Sequence, residues 1–176
     1  MIISVERIKQ LVNLDGWTDE KIKMKLDAIE QTIRAYTNNN FQNRGFRVQA
    51  NISEGVFRSE TLTPFDVGDT VQVSESVKNN GLFTVSEAYD DSFVVAENTH
   101  DEDCVLVTKV VYPADVVACA VNLMEWEVKM RDKVGIQSET LSRHSVTYAD
   151  ATGENQVMGY PASLLGCLKA YRKARC

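Results

Sequence analysis

The hydrophobic pattern of this chain changes its period twice, and this change limits the folds that the sequence can adopt. Before Phe41 and after Pro113, apolar residues recur every three or four positions, which is typical of an amphipathic α-helix. Between these points, apolar and polar residues alternate with a period of two, which is typical of a β-strand. Because a helix buries a stripe and a strand buries alternate residues, the sequence predicts separate helical and β parts.

Four helices are predicted in the flanking parts. Ser4 and Thr18 each precede an apolar stripe, and serine and threonine are favoured N-cap residues. A third helix is predicted from Pro113 and a fourth from Pro161, since proline suits the first helical turn. The expected buried stripes of the second, third and fourth helices are Ile22, Leu26, Ile29, Ile33 and Tyr36; Val117, Val121, Met124 and Val128; and Leu164, Leu165, Leu168 and Tyr171.

The middle of the chain is predicted to be a small β-barrel. Asn79-Asn80-Gly81 is a strong hairpin-turn signal, because asparagine and glycine tolerate positive φ. Short strands separated by tight turns favour a closed barrel, which leaves no exposed edge. The strands are expected at residues 46–52, 71–74, 82–85, 92–95 and 105–107.

These patterns together predict an α+β protein with a four-helix core. A small antiparallel, SH3-like β-barrel is expected as an insertion between helices 2 and 3. The predicted domain bounds are residues 1–45 and 113–176 for the helical core and residues 46–112 for the barrel.

The charge is distributed unevenly along the chain. Residues 51–104 carry twelve acidic residues against two basic ones, Arg58 and Lys78, a net charge of −10. After Glu154 there is no acidic residue, and four basic ones remain: Lys169, Arg172, Lys173 and Arg175. The acidic module is expected to repel a phosphate backbone, since nucleic-acid binding requires clustered lysine or arginine. The basic end either offsets the dipole of the last helix or binds a partner.

No catalytic, cofactor-binding or metal-binding residues are predicted, and the protein is not expected to be an enzyme. His100 lies in a polar acidic turn that lacks the spacing of a calcium loop, and His144 has only serine neighbours and no nucleophile elbow. The four cysteines have no CxxC pairing, so we expect free thiols in a reducing cytoplasm. No apolar run approaches the roughly 20 residues of a membrane-spanning helix, and no signal peptide is predicted.

The segment from residue 137 to residue 155 has two possible interpretations. Leu141, Val146 and Tyr148 alternate with polar residues, which predicts one strand between two polar stretches. The strand either lies at the edge of this chain's own sheet or adds to the sheet of a neighbouring subunit. We favour the second interpretation, because a strand with two unpaired edges needs a cover.

Three segments of the helical parts have an order and spacing that matter more than any one of them. They are the capped helix of residues 18–36, the helix from Ala118 that leads into residues 135–139, and the ending formed by residues 145–148, Gly159-Tyr160-Pro161 and residues 164–172. By these segments the chain resembles the head-tail connector (head-completion adaptor) proteins of tailed bacteriophages, in the variant with a β-barrel insertion. In the insertion, residues 67–70 and 79–85 carry a weaker likeness.

The resemblance implies a structural role in the virion. Such a protein is made in the cytoplasm of the bacterial host and forms a ring, commonly dodecameric, under the portal at the head-tail interface. The ring extends the channel for double-stranded DNA, accepts the stopper or tail-completion protein, and has no cofactor and no membrane partner. On this basis, the residues expected to contact another subunit or the portal are Leu141, Val146, Tyr148, Lys169, Arg172, Lys173 and Arg175.

A second function stays open from the sequence. The protein could instead be a soluble β-barrel module that binds another protein, with its helices acting only as a scaffold. A ring predicts self-assembly or assembly on a portal, whereas a module predicts a monomer with a discrete ligand.

Overall fold

The structure, a computed structural model, describes residues 1–130, 138–141, 144–147 and 156–174. The chain divides into two compact units. The barrel unit consists of Met1 and residues 40–112, and the helical unit consists of residues 2–39 and 113–176.

The barrel unit is a closed antiparallel barrel of six strands. The strands are β1 (Gln42–Ser53), β2 (Val56–Arg58), β3 (Thr70–Ser74), β4 (Gly81–Ala88), β5 (Ser92–Val95) and β6 (Glu102–Val110). Their order around the barrel is β1-β2-β5-β4-β3-β6, and β6 pairs again with β1. The interior is aliphatic and aromatic, and Phe93 has its ring 4.7 Å from that of Phe57 and 5.1 Å from that of Phe65.

The helical unit contains α1 (Val5–Leu11), α2 (Asp19–Thr37), α3 (Ala114–Met130) and a C-terminal 3-10 helix (Gly166–Tyr171). The predicted caps are confirmed: the side-chain oxygens of Ser4 and Thr18 accept hydrogen bonds from backbone N–H groups three residues later. The predicted stripe of α2 is also confirmed at its four aliphatic positions, which are fully buried: Ile22, Leu26, Ile29 and Ile33. Helices α2 and α3 contact each other, and both contact the 3-10 helix.

The predicted fold class, a four-helix core with a small barrel insertion, is wrong. Besides the helices, the described residues contain a closed antiparallel barrel of six strands. The first strand, β1, begins at Gln42, before the predicted start at Phe46. Strand β2, which pairs with β1, was not indicated by the sequence pattern. The barrel is therefore a principal part of the fold and not a small insertion.

The fourth predicted helix is a series of turns followed by the 3-10 helix. Its backbone bonds span three residues, as in Leu164 N to Pro161 O (3.0 Å) and Leu168 N to Leu165 O (3.1 Å). Ser163 and Gly166 interrupt this segment, and both are weaker helix formers than alanine or leucine. The tighter geometry still buries Leu165 and Leu168 completely.

The predicted buried face of α3 is also wrong at three of its four positions. Met124 is buried, but the three valines of the predicted stripe are only partly buried. The buried residues are Val116, Cys119, Ala120, Leu123, Met124 and Glu127. The buried face of the helix therefore includes small residues and one carboxylate.

The predicted hairpin turn at Asn79-Asn80-Gly81 belongs to a longer connection between β3 and β4, and this connection is held by Glu102 at the start of β6. The Glu102 carboxylate accepts hydrogen bonds from the Ser76 hydroxyl (2.7 Å), the backbone N–H of Val77 (2.5 Å) and that of Lys78 (3.2 Å), and the Asn79 amide (2.8 Å). These donors, led by the Ser76 hydroxyl and the Val77 N–H, lower the pKa of Glu102 to about 2.

The Glu102 carboxylate makes the stability of the barrel depend on pH. Because the folded-state pKa of Glu102 is lowered, its stabilisation is complete above the unfolded pKa, roughly 4.3, and is lost as the pH falls toward 2. Glu102→Gln places an amide N–H among donors, so we expect this variant to have a lower melting temperature than the parent at neutral pH. On acidification its melting temperature should fall less than that of the parent. Asp103→Asn removes the same charge from the next, exposed residue. Circular dichroism melts across this pH range check the prediction, and equal behaviour of the two variants would contradict it.

Candidate functional site

The residues expected at an interface fall on two parts of the chain. Leu141 and Val146 lie in β7 (Ser138–Leu141) and β8 (His144–Thr147), and Lys169, Arg172 and Lys173 lie in or directly after the 3-10 helix. The remaining two, Tyr148 and Arg175, lie outside the described residues.

Strands β7 and β8 form a two-stranded antiparallel sheet. Ser138 is opposite Thr147, and Leu141 is opposite His144. The prediction of one strand from residue 141 to residue 148 is therefore wrong, because the segment contributes to two strands that pair with each other. Neither strand pairs with a third strand of the described residues, so with respect to these residues the outer edge of each is open. A lone two-stranded sheet is only marginally stable in water, and open edges accept further strands.

The C-terminal segment is anchored to the helical unit by backbone and side-chain contacts. The N–H of Lys173 donates to the carbonyl of Thr37 (2.8 Å), and the Asn39 amide donates to the carbonyl of Tyr171 (3.3 Å). The Tyr171 hydroxyl lies 2.7 Å from both carboxylate oxygens of Asp115 on α3, and this hydrogen bond raises the pKa of Tyr171. The segment is thus held in one place at the ends of α2 and α3.

Three cations project from this anchored segment, and we call Lys169, Arg172 and Lys173 the cationic surface. All three residues are exposed. The Arg172 guanidinium lies 5.3 Å from the centre of the Tyr36 ring, so its charge also contributes to local packing through a cation–π contact. The contact that anchors Lys173 to Thr37 is made by the backbone N–H of Lys173. The side chain is exposed and can bind an acidic partner without disturbing the fold.

A buried carboxylate on α3 positions the chain that leads into this segment. Glu127 is 4% exposed, and its carboxylate accepts a hydrogen bond from the Tyr160 hydroxyl (2.7 Å) and pairs with the Lys25 ammonium of α2 (3.1 Å). Tyr160 also contacts Trp126 edge to face, with ring centres 5.3 Å apart. Tyr160 belongs to β10 (Tyr160–Pro161), which pairs with β9 (Gln156–Val157). Glu127 was not predicted as a buried residue, because its only signal in the sequence is its spacing of three and four residues from Met124 and Leu123.

Two groups with potential reactivity, His100 and Cys119, lie among the described residues. His100 is held through its backbone N–H by the Asn79 amide oxygen (2.8 Å). Burial, with a hydrogen bond to Cys167, raises the pKa of Cys119 to about 12, so this thiol stays protonated at neutral pH. Across the part of the chain that the structure describes, histidine, cysteine and carboxylate groups nowhere gather as three potential metal ligands.

The candidate residues that the structure describes therefore lie on a two-stranded sheet and on an anchored segment with three exposed cations. Among the described residues, none of the helices combines the length and the apolar character that crossing a bilayer requires. No protein-family model and no curated protein matches this sequence.

Proposed function

We propose that this protein is a structural head-tail connector of a tailed phage or prophage. In this role it forms a ring under the portal, extends the DNA channel and accepts the stopper or tail-completion protein. The resemblance of the helical segments to connector proteins motivates the proposal.

The two open edges of the β7–β8 sheet are the observation that carries the proposal furthest. A ring of identical subunits has head-to-tail contacts, in which one surface of a subunit meets a different surface of the next. A small sheet with two open edges supplies one side of such a contact, since it gains a third strand on assembly. The same open edges would be a liability in a protein that works as a monomer.

The charge distribution fits the same role. Residues 51–104 have a net charge of −10, so a channel lined by them would repel the DNA backbone and let it slide. The cationic surface of Lys169, Arg172 and Lys173 is suited to an acidic patch on a portal or a neighbouring subunit.

Proline substitutions in β8 test the proposed contact. Successive N–H groups of an edge strand point alternately to its partner and to the open side, so Ser145→Pro and Val146→Pro together remove a donor from each edge. We expect at least the variant that loses the outward donor to lose assembly on a portal ring. The melting transition of the helical unit, followed by tryptophan fluorescence, should stay unchanged.

Alanine variants at the same two positions are the matched controls. Ser145→Ala and Val146→Ala keep both backbone donors and should assemble as the parent does. If both proline variants form rings on the portal as efficiently as the parent, measured by mass photometry, the β7–β8 sheet is local structure and the proposed contact is wrong.

A further inference from the structure

One edge of strand β1 has no partner strand along part of its length. The ladder between β1 and β2 covers only residues 51–53 and 56–58, ending at the pair Asn51 and Arg58. Before this point, residues 47–50 of β1 pair with β6 on one side only. Their other edge is open, because no further strand of the described chain lies beside it.

The chain after β2 does not close this gap. The N–H of Ser59 donates to the carbonyl of Asp91 (2.9 Å), and the N–H of Thr63 donates to the carbonyl of Asp90 (2.7 Å). Both bonds hold the segment toward the turn between β4 and β5, away from β1. A surface groove of about 390 Å³ results, lined by residues 47–51, residues 58–61 and Cys104.

The shape of the groove suits a peptide bound in extended conformation. Five consecutive residues of β1 form one wall, and the last residue of β2 with the three that follow it forms the other, so backbone is available along both. Val48 and Ala50, which belong to the buried core, also line it. A strand in this position would pair with the open edge of β1 and place alternate small apolar side chains against these two residues.

The charge of the groove is opposite to that of the module around it. Arg47 and Arg58 line it, and Glu60 is the one acidic residue among the lining residues. The Nε–H of Arg47 donates to the Thr108 hydroxyl of β6 (2.9 Å), which restrains this side chain. Arg58 is exposed and forms no salt bridge with any carboxylate of the described residues, although residues 51–104 carry twelve acids. Its charge is therefore available to a ligand.

We infer that this groove binds an extended acidic peptide segment of a partner protein, which adds as a strand to the open edge of β1. Main-chain hydrogen bonds to residues 47–50 supply the binding, and carboxylates of the peptide pair with Arg47 and Arg58. This function belongs to the barrel unit and does not depend on ring formation.

A synthetic peptide of eight alternating glutamate and valine residues, labelled with fluorescein, is the direct probe. We expect saturable binding to the full-length protein by fluorescence anisotropy. A peptide of alternating lysine and valine should bind much more weakly. An acidic peptide that is N-methylated at every second residue keeps its charge but lacks donors on one edge, so it should also bind weakly. If the lysine peptide or the methylated peptide binds as well as the parent peptide, the inferred mode of binding is wrong.

Charge variants locate the binding. Arg58→Glu should weaken binding of the acidic peptide by about tenfold, the effect of losing one exposed ion pair and gaining a repulsion. Lys78→Glu makes the same charge change on an exposed residue outside the groove and should have little effect. Glu60→Gln removes the acid from the groove and should strengthen binding. Equal losses for Arg58→Glu and Lys78→Glu would show a general charge effect and overturn the assignment to this groove.

Protection of Cys104 from alkylation tests the proposed binding site independently, without any substitution in the protein. Cys104 lines the groove, whereas Cys167 belongs to the helical unit, and both are exposed. Bound peptide should slow alkylation of Cys104 by iodoacetamide and leave Cys167 unchanged, as followed by peptide mass mapping. Unaltered alkylation of Cys104 at a saturating concentration of the acidic peptide would overturn the inference, whatever the assembly state of the protein.

Discussion

Leu168→Ala is expected to destabilise the helical unit by about 2–5 kcal/mol, the usual cost of removing a fully buried leucine side chain. Leu168 is 0% exposed, and the 3-10 helix that carries it contacts both α2 and α3. The chain has two tryptophans, Trp17 and Trp126, and both belong to the helical unit. Urea unfolding followed by tryptophan fluorescence therefore reports the change directly.

Two surface variants distinguish the packing of this segment in the helical unit from its proposed contacts with other proteins. Lys169→Ala changes the exposed neighbour of Leu168 and should leave the free energy of unfolding within about 0.5 kcal/mol of the parent. Lys173→Glu should also unfold like the parent, because the anchor of that residue to Thr37 is a backbone bond. We expect Lys173→Glu to weaken assembly on a portal ring. A loss of stability as large as that of Leu168→Ala would contradict the division between a buried face and a contact face.

Phe93→Ala is expected to cost about 3–5 kcal/mol in the barrel unit. Phe93 is 0% exposed and stacks on Phe57, with Phe65 edge-on to its ring, so the truncation opens a cavity among aromatic groups. Hydrogen exchange with mass spectrometry resolves the two units, and we expect faster exchange in peptides from β1 to β6.

Val94→Ala is the matched control for this change. Val94 is the next residue on β5 but is only partly buried, because successive side chains of a strand point to opposite faces. Its truncation should have a much smaller effect on exchange in the barrel. If the two variants raise exchange equally, the aromatic cluster is not the centre of the barrel core.

Local signals in the sequence predicted local structure well. Ser4 and Thr18 cap their helices because a side-chain oxygen three residues before a free N–H is a short-range arrangement that neighbouring residues determine. The stripe of α2 was equally clear, because four large aliphatic residues recur at helical spacing with polar residues between them.

Tertiary packing decided what the local patterns could not. The valines of α3 suggested one face, but Cys119, Ala120 and Glu127 are buried, because small residues allow close packing and the carboxylate finds Lys25 and Tyr160. Both partners are distant in sequence, so no periodic pattern could indicate them.

The barrel also depends on contacts between residues that are distant in the sequence, which local patterns do not indicate. The pairs that join β1 to β6 and the hydrogen bonds of Glu102 to the β3–β4 connection link residues that are 23 to 68 positions apart. Alternation indicated strands but not how many of them the barrel needed. Strand β2 has only three residues, too few to show a period of two, and the groove beside β1 exists because β2 is so short.

The mass of the native particle, measured with and without the portal ring of the same phage, tests the proposed connector function most directly. The subunit mass is 19.7 kDa. We expect the portal particle to gain a fixed whole number of subunits, matching the symmetry of the ring, and to lose them when the proline variants of β8 replace the parent. A protein that stays monomeric at every concentration and adds no mass to the portal would contradict the proposed function.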